Sequence, residues 1–254
     1  MRNLFSHFLR SKTFLGCLSA IFLALSFPKW DLSVLAFGAL VPLMLALDGE
    51  SPKRSFKISY FCGLVFFSLT FFWILFVTRI GTVFLLAALS LYFGLFGLGY
   101  AWLSKKKLLA KIFLIPALWV TIEYIRAHFL TGFGWALLGH SQYKNLWLIQ
   151  IAGVTGVYGI SFLIVMVNVV MKEIFSAKGI FSAKKTLSRE FLGSLVIVSI
   201  FLAASIFYSL LELKNNPQGL KIKVGVAQGN VTLERRWNPQ AWPFILRDYF
   251  ALSD

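Results

Sequence analysis

The chain has 254 residues, of which 58% are hydrophobic and only 14% are charged, and its mean hydropathy is +0.77. Because soluble domains carry about 25% charged residues, this composition excludes an ordinary soluble globular protein and predicts a membrane protein. The formal net charge of +15 would suit a nucleic-acid-binding protein, but the placement of the basic residues along the chain argues against that class.

Seven apolar runs are predicted to cross the membrane, since runs of about 20 apolar residues match the roughly 30 Å hydrocarbon core. They are residues 13–27, 32–47, 58–77, 81–103, 108–122, 156–171 and 191–211. The first, second and sixth runs are short, and tilt or local thinning of the bilayer would accommodate them. Lys111 interrupts the fifth run. Residues 24–26 are an alternative signal-peptide cleavage site, which would leave the topology of the rest unchanged.

Basic residues are concentrated in alternate connections between the predicted spans. Of the 19 Lys and Arg residues before Glu212, 15 lie in these connections, and the opposite connections hold only Lys29, Arg79, Arg126 and Lys144. This positive-inside pattern predicts a cytoplasmic N-terminus and places everything after the seventh span outside the cytoplasm. Because the pattern accounts for the charge, nucleic acid is not expected as a partner.

Cysteine, histidine and glycine placement gives no sign of a metal or cofactor site. Cys17 and Cys62 lie inside apolar runs, where a cysteine acts as a small hydrophobe rather than as a nucleophile. The lone imidazoles of His128 and His140 have no carboxylate or thiolate at ligand spacing. The glycine-rich segment 94–99 lacks dinucleotide-binding spacing, so its small residues are predicted to allow close approach of two helices.

The connection between the fifth and sixth spans, residues 126–155, is less polar than a loop is expected to be. Its aromatic and aliphatic residues are interleaved with Gly132, Gly134 and Gly139. Trp and Tyr favour the headgroup level of a bilayer, so the connection is predicted to lie along the outer leaflet. The alternative is a surface that contacts a substrate, and the two interpretations are compatible if the substrate is a lipid.

Two ionisable residues, Glu123 and Arg126, lie at the outer end of the fifth span. Their spacing of three residues puts them on one helix face. Ionisable groups near hydrocarbon are usually paired, so the sequence predicts a structural ion pair. The alternatives are a catalytic acid and the pathway of a transporter, although no inverted repeat or matching pair of broken helices supports a transporter.

The chain changes character after the seventh apolar run. Residues 212–219 form a polar linker, residues 221–230 have the pattern of a first strand, and residues 246–254 that of a first helix. The predicted organisation is therefore a transmembrane helical domain over residues 1–211, the linker, and the start of a soluble α/β domain over residues 220–254. The expected fold class is membrane all-α, a bundle of about seven transmembrane helices followed by this first strand and helix.

Seven short motifs occur in order along nearly the whole chain. They are FPKWD (27–31), PALWVTIEYIR (116–126), TGFGW (131–135), LGHSQ (138–142), GVYGISF (156–162), VGVAQGN (224–230) and WNP (237–239). Together they resemble those of the apolipoprotein N-acyltransferases. The resemblance identifies the α/β segment as the start of that family's nitrilase-like domain, which is of the carbon-nitrogen hydrolase type.

The resemblance implies a location and a reaction. Enzymes of the family lie in the inner membrane of diderm bacteria, with the nitrilase-like domain on the periplasmic side. They transfer an acyl chain from a phospholipid to the N-terminal diacylglyceryl-cysteine of a lipoprotein. A Glu-Lys-Cys triad acts through a thioester acyl-enzyme, in which a base activates the thiol and a cation with backbone donors stabilises the oxyanion. No cofactor and no metal are implied.

No residue of this chain can be assigned to that triad. No cysteine follows Leu211, and no acid after it lies in the family's Pro-Glu context. The chain is therefore expected to be truncated early in the nitrilase-like domain and inactive alone. Only Trp237 matches a position near the family's active-site mouth, where it belongs to a mobile lid, and its alternative role is packing at the membrane interface. A catalytically dead lipid-binding or scaffolding protein is the alternative function.

Overall fold

The computed structural model describes residues 12–176, 188–214 and 222–253 of the chain. Its helices in these ranges, numbered in chain order, are α1 (Lys12–Leu25), α2 (Ala36–Ala39), α3 (Val41–Leu47), α4 (Pro52–Phe71), α5 (Arg79–Leu103), α6 (Leu108–His128), α7 (Leu146–Ile149), α8 (Ala152–Phe175), α9 (Arg189–Lys214), α10 (Leu233–Arg236) and α11 (Trp242–Ser253). Within the same ranges, 3₁₀ turns cover Ser33–Leu35, Phe72–Phe76, Leu138–Gln142 and Pro239–Ala241. Contacts divide the chain after Lys214 into two compact units.

Within the described residues, five helices are long and apolar enough to cross a membrane. They are α4 extended through Phe76, α5, α6, α8 and α9, whereas the apolar stretches Lys12–Leu25 and Ser33–Leu47 are shorter. The prediction of an all-helical membrane bundle is therefore confirmed for the described residues, and the chain is a multi-pass membrane protein. The count of seven spans stays a prediction.

The fifth and sixth predicted spans are among those whose limits differ in the structure. The fifth was expected over 108–122, but α6 continues to His128. Lys111 does not interrupt this helix because its ammonium lies 2.6 Å from the carboxylate of Glu173 in α8. The sixth span was expected to start at Gly156, and α8 has a kink at this residue, whose φ of 63° and ψ of −175° are not helical. Glycine adopts such a positive φ at little cost.

Close contact between α4 and α5 depends on glycines. A Cβ atom at Gly63 would lie 2.8 Å from the Cβ of Phe93, and one at Gly97 would overlap the carbonyl oxygen of Ser55. The prediction that segment 94–99 allows two helices to approach closely is therefore confirmed at Gly97. Small residues have this effect generally in membrane bundles, where packing rather than hydrophobicity drives helix association.

The second apolar run forms two helices instead of one. α2 ends at Ala39, α3 begins at Val41, and Pro42 occupies the first turn of α3. A proline ring has no N–H to donate and clashes with the preceding turn, which explains why the helix is interrupted here. An interruption at membrane depth requires other donors and acceptors for the freed backbone groups.

The side chain of Asn168, on α8, supplies these partners. Leu40 N donates to Asn168 Oδ1 at 2.9 Å, and Asn168 Nδ2 donates to the carbonyl of Ala36 at 2.8 Å. The amide thus takes the place of the helical hydrogen bond that would otherwise join Leu40 to Ala36. Ser19 Oγ, on α1, donates to the carbonyl of Ala39 at 2.5 Å. The broken stretch is therefore held between α1 and α8.

Charged residues meet at one end of the bundle, which we call the basic end. Lys12 pairs with Glu50, and the ammonium of Lys172 lies 2.5 Å from the carboxylate of Asp48. A cavity of about 680 Å³ at this end is also lined by Lys105. Five further basic residues of the predicted charge pattern lie outside the described residues, namely Arg2, Arg10, Lys178, Lys184 and Lys185.

The second unit differs from its prediction. The expected strand over 221–230 is not observed, since residues 222–232 form neither helix nor strand. A strand needs a neighbour to complete its hydrogen bonds, and none pairs with this segment in the described part of the chain. The expected helix at 246–254 is present within α11, which starts earlier. The predicted linker begins as helix because α9 reaches Lys214; residues 215–221 and Asp254 lie outside the described residues.

Candidate functional site

A cavity of about 600 Å³ opens at the opposite end of the bundle, which we call the aromatic end. Its lining comes from three places that are distant in sequence, the segment after α1, the end of α4 and the connection between α6 and α8. The lining is mainly apolar, with three indole rings, from Trp30, Trp73 and Trp135, and with Lys29 and His140 as its basic residues. A concave apolar site with a few polar groups is typical of a small-molecule or lipid site.

Aromatic contacts hold one wall of this cavity together. The ring centroids of Trp73 and Trp135 lie 5.5 Å apart, and those of Phe71 and Phe133 lie 5.2 Å apart in an edge-to-face arrangement. Pairs at these distances contribute stabilisation beyond their buried area. The end of α4 is therefore fixed against the connection that follows α6.

Polar contacts hold the other wall. Tyr143 Oη and Lys144 Nζ donate to the two carboxylate oxygens of Asp31 at 2.8 and 2.6 Å. Gln142 Nε2 donates to the carbonyl of Ser33 at 2.8 Å. The hydrogen bonds from Lys144 and Tyr143 lower the pKa of Asp31, and the hydrogen bond to Asp31 raises the pKa of Lys144. Both groups are therefore charged at neutral pH and tie the segment after α1 to the distant connection.

Lys29 lies at the mouth of the cavity. Its side chain is exposed, and its Nζ lies 5.6 Å from the ring centroid of Trp30 and 5.2 Å from that of Phe72. These distances are within the range of cation–π attraction. His140 borders the same space, and partial burial together with the positive charge of Arg126 lowers its pKa. At neutral pH the imidazole is therefore uncharged, and Lys29 is the charged group of the lining.

Glu123 and Arg126 are both buried at the end of α6, but the predicted ion pair between them is not observed. Arg126 donates to the carbonyls of Trp135 and Ala136 at 2.7 and 3.2 Å. Glu123 Oε1 accepts from the backbone N–H of Leu138 at 2.6 Å. The two charges do not pair because backbone groups of the following connection lie closer to each charge than the two charges lie to each other.

The two charged residues consequently fix the connection that lines the cavity. The chain turns sharply after α6 at Gly132, whose φ is +69°, and Ala136 also has a positive φ of 50°. Gly139 N then donates to Ser161 Oγ on α8 at 2.8 Å. The structure buries Leu137 and Leu138 of this connection in the bundle and leaves its tryptophans exposed, and its position along the outer leaflet stays a prediction.

Sequence reasoning missed several residues of this site. Asp31 and Ser161 lie within the motifs at 27–31 and 156–162, but neither gave a local signal of its contact, because their partners are more than 20 residues away in sequence. Asn168, which bonds to the break between α2 and α3, did give a local signal in the sequence, since a polar amide in the middle of an apolar run is costly unless it has partners. No group of three or more His, Cys, Asp or Glu residues in the described ranges could hold a metal ion.

Trp237 lies in the second unit, just after α10, and its side chain is 76% exposed. Its role as a lid residue stays a prediction. Cys17 and Cys62 are free thiols within apolar helices. The site at the aromatic end can therefore bind an amphiphilic molecule through its apolar walls and one ammonium group, and no thiol is among the described residues that line its cavity.

Comparisons with known proteins identify a family for this chain. Residues 19–170 match the family model described as "Apolipoprotein N-acyltransferase N-terminal domain". The chain is 35% identical over 249 residues to an apolipoprotein N-acyltransferase of Geobacter metallireducens, which covers 94% of this chain and 47% of that protein. Proteins of the same name from Chlorobaculum tepidum and Shewanella oneidensis are 28% and 30% identical over 246 residues, covering 93% and 91% of this chain and 45% and 44% of theirs.

The chain spans about half the length of the curated relatives it matches. The region matched by the family model is more than half of the chain. It runs from α1 into α8 and includes all of the residues that line the cavity at the aromatic end. The chain therefore belongs to the apolipoprotein N-acyltransferase N-terminal domain family.

Proposed function

We propose that the chain is the membrane part of an apolipoprotein N-acyltransferase, which transfers an acyl chain from a phospholipid to the N-terminal diacylglyceryl-cysteine of a lipoprotein. The observation that carries the proposal is the 35% identity, over 94% of this chain, to a protein of that name. The cavity at the aromatic end supports it independently, because a phospholipid needs apolar walls beside a polar mouth.

In this proposal the cavity binds the acyl donor and does not perform the transfer itself. Trp30, Trp73 and Trp135 are partly exposed, as expected of rings at the headgroup level of a bilayer. The family's chemistry requires a Glu-Lys-Cys triad that activates a thiol and stabilises an oxyanion. Since no residue of this chain matches the triad, we place the triad outside these 254 residues.

The proposed organisation keeps a transmembrane domain over residues 1–211, a linker over 212–219 and the start of the nitrilase-like domain over 220–254. Residues 222–232 would become a strand once a neighbouring strand supplies its hydrogen bonds. Trp237 is proposed as part of a lid over the acyl chain, and its 76% exposure leaves the indole ring available for that role.

We place the bundle in a bacterial inner membrane with the basic end in the cytoplasm and residues 212–254 in the periplasm. Lys12 lies at the basic end, and Lys29 lies at the aromatic end. The stretch between them therefore connects the two ends, and residues 33–47 return to the basic end, which supports seven crossings. Reporter fusions after Lys106 and after Lys214 should report opposite compartments. A shared compartment would contradict the seven-span count.

The proposed reaction predicts different behaviour for the chain alone and for a completed enzyme. With a labelled phospholipid, the chain alone should form no hydroxylamine-labile acyl-thioester, because Cys17 and Cys62 lie in apolar helices and lack an activating base. A hybrid that joins residue 254 to the remaining half of the Geobacter metallireducens relative should transfer the label to a diacylglyceryl-cysteine peptide.

The complete Geobacter metallireducens protein is the matched positive control, and size-exclusion chromatography shows whether the hybrid is folded. A folded hybrid that binds phospholipid but transfers no label would contradict the enzymatic proposal and favour a lipid-binding scaffold. Hydroxylamine-labile label on Cys17 or Cys62 in the chain alone would show that these cysteines are not merely structural.

A further inference from the structure

We propose that Lys29 binds the phosphate group of a phospholipid headgroup at the mouth of the cavity at the aromatic end. This proposal rests on the acyl-donor role proposed for the cavity, and it names the residue that recognises the polar part of the donor. The class of ligand is a phosphodiester lipid, held by one ammonium group at the mouth and by apolar side chains behind it.

The first support is that the other cations around this cavity are already engaged. Lys144 forms an ion pair with Asp31 at 2.6 Å. Arg126 is buried and donates to two backbone carbonyls. Lys29 has no carboxylate within ion-pair distance in the described part of the chain. Its ammonium has three N–H donors, and the aromatic rings beside it offer no oxygen acceptor, so an anion would complete its hydrogen bonds.

The second support is the backbone that presents Lys29. Its φ is +91°, and that of Asp31 is +55°, a region that residues other than glycine rarely adopt. Such a conformation persists where the surroundings over-determine it. Here Tyr143 and Lys144 hold Asp31 by two hydrogen bonds. The same contacts therefore hold the turn that places Lys29 between the rings of Trp30 and Phe72.

The third support is the combination of charge and apolar wall. Leu69, Phe72 and Trp73 line the cavity of about 600 Å³ behind the ammonium. A neutral diacylglycerol could use these walls but not the charge, and inorganic phosphate could use the charge but not the walls. A phospholipid uses both, which selects it over either alternative.

The test measures binding without chemistry. The full chain in dodecyl maltoside micelles is titrated with phosphatidylglycerol carrying brominated acyl chains, which quench nearby tryptophans. Lys29→Gln should weaken the apparent affinity about fivefold, as expected for loss of one partly exposed charge pair, and Lys29→Arg should largely restore it. Binding of brominated diacylglycerol should change less than twofold in either variant.

Arg79→Gln is the matched control, because Arg79 is an exposed cation at the start of α5 that does not line the cavity. It should leave phosphatidylglycerol binding unchanged. Equal losses in Lys29→Gln and Arg79→Gln would mean a general surface-charge effect and would overturn the proposal. Equal losses for phosphatidylglycerol and diacylglycerol in Lys29→Gln, or unchanged binding of both, would overturn it as well.

Two further outcomes distinguish this proposal from a soluble-anion site and from the proposed function itself. Inorganic phosphate should not displace the brominated lipid, and full displacement would reveal a soluble-anion site and overturn the proposal. A hybrid enzyme that transfers acyl chains normally while its Lys29→Gln variant binds phospholipid like the original would disprove the role of Lys29 and leave the proposed function intact. If phospholipid binding depends on Lys29 but the hybrid has no transferase activity, the role of Lys29 is supported and the proposed function is contradicted.

Discussion

Replacing Arg126 with alanine is expected to destabilise the folded protein by about 3–5 kcal/mol, the range found when one partner of a buried charge arrangement is removed. Arg126 is 5% exposed, and its guanidinium donates to the carbonyls of Trp135 and Ala136. Its loss leaves both carbonyls without these donors and leaves the buried carboxylate of Glu123 without a nearby cation. Thermal unfolding in detergent and the folded yield on size-exclusion chromatography measure the effect.

A second substitution shows which loss dominates. Glu123→Gln removes the negative charge, while its amide oxygen can still accept from Leu138 N. Combined with Arg126→Ala, it should restore part of the stability because no uncompensated charge remains. Arg79→Ala, at an exposed site, should change stability by no more than about 0.5 kcal/mol.

If the double variant is as unstable as Arg126→Ala alone, the carbonyl hydrogen bonds rather than the charge carry the effect. If the double variant folds well and a completed enzyme that contains it loses all acyl transfer, Glu123 and Arg126 belong to the substrate site instead of serving the structure.

Replacing Asn168 with leucine is expected to cost about 2–4 kcal/mol, because two buried backbone groups lose their partners and each unsatisfied group costs roughly 1–3 kcal/mol. At the break between α2 and α3, the amide of Asn168 bonds to both Leu40 N and the carbonyl of Ala36. The loss should appear in thermal unfolding, and trypsin cleavage near the turn that joins α3 to α4 should become faster.

Ser205→Ala is the control for this substitution. Ser205 is also buried, but its hydroxyl donates only to the carbonyl of Phe201 in its own helix, which the helix already satisfies. Its removal should cost less than about 0.5 kcal/mol. An effect of Asn168→Leu as small as that of Ser205→Ala would show that the break between α2 and α3 satisfies its own backbone groups.

The long helices could be predicted because hydropathy over about 20 residues is a local property. The predicted fourth and seventh spans lie within α5 and α9 for that reason. The break at Leu40 could not be predicted, because it depends on Asn168, which is 128 residues away in sequence. The strand predicted at 221–230 is not observed for a related reason, since a strand forms only when a neighbouring strand pairs with it.

The same distinction applies to the site. The aromatic connection and Lys29, one of four basic residues in the opposite connections, were both visible in the sequence. The contact of Asp31 with Tyr143 and Lys144 joins residues 112 and 113 positions apart, so no local pattern reveals it. Glu123 and Arg126 were correctly singled out as a buried pair of charges, but only the fold shows that both bind the connection rather than each other.

The ion pairs at the basic end mean that some lysines serve two successive stages in the life of the protein. In the orientation proposed above, Lys12, Lys111 and Lys172 count as free positive charges while the chain is being inserted, and they favour a cytoplasmic position for the basic end. Once the bundle has formed, Glu50, Glu173 and Asp48 neutralise them. In the same proposed orientation, the mature protein would present a weaker positive field to the anionic lipids of the cytoplasmic leaflet than its sequence suggests. Attraction to those lipids depends on the basic residues that stay unpaired there.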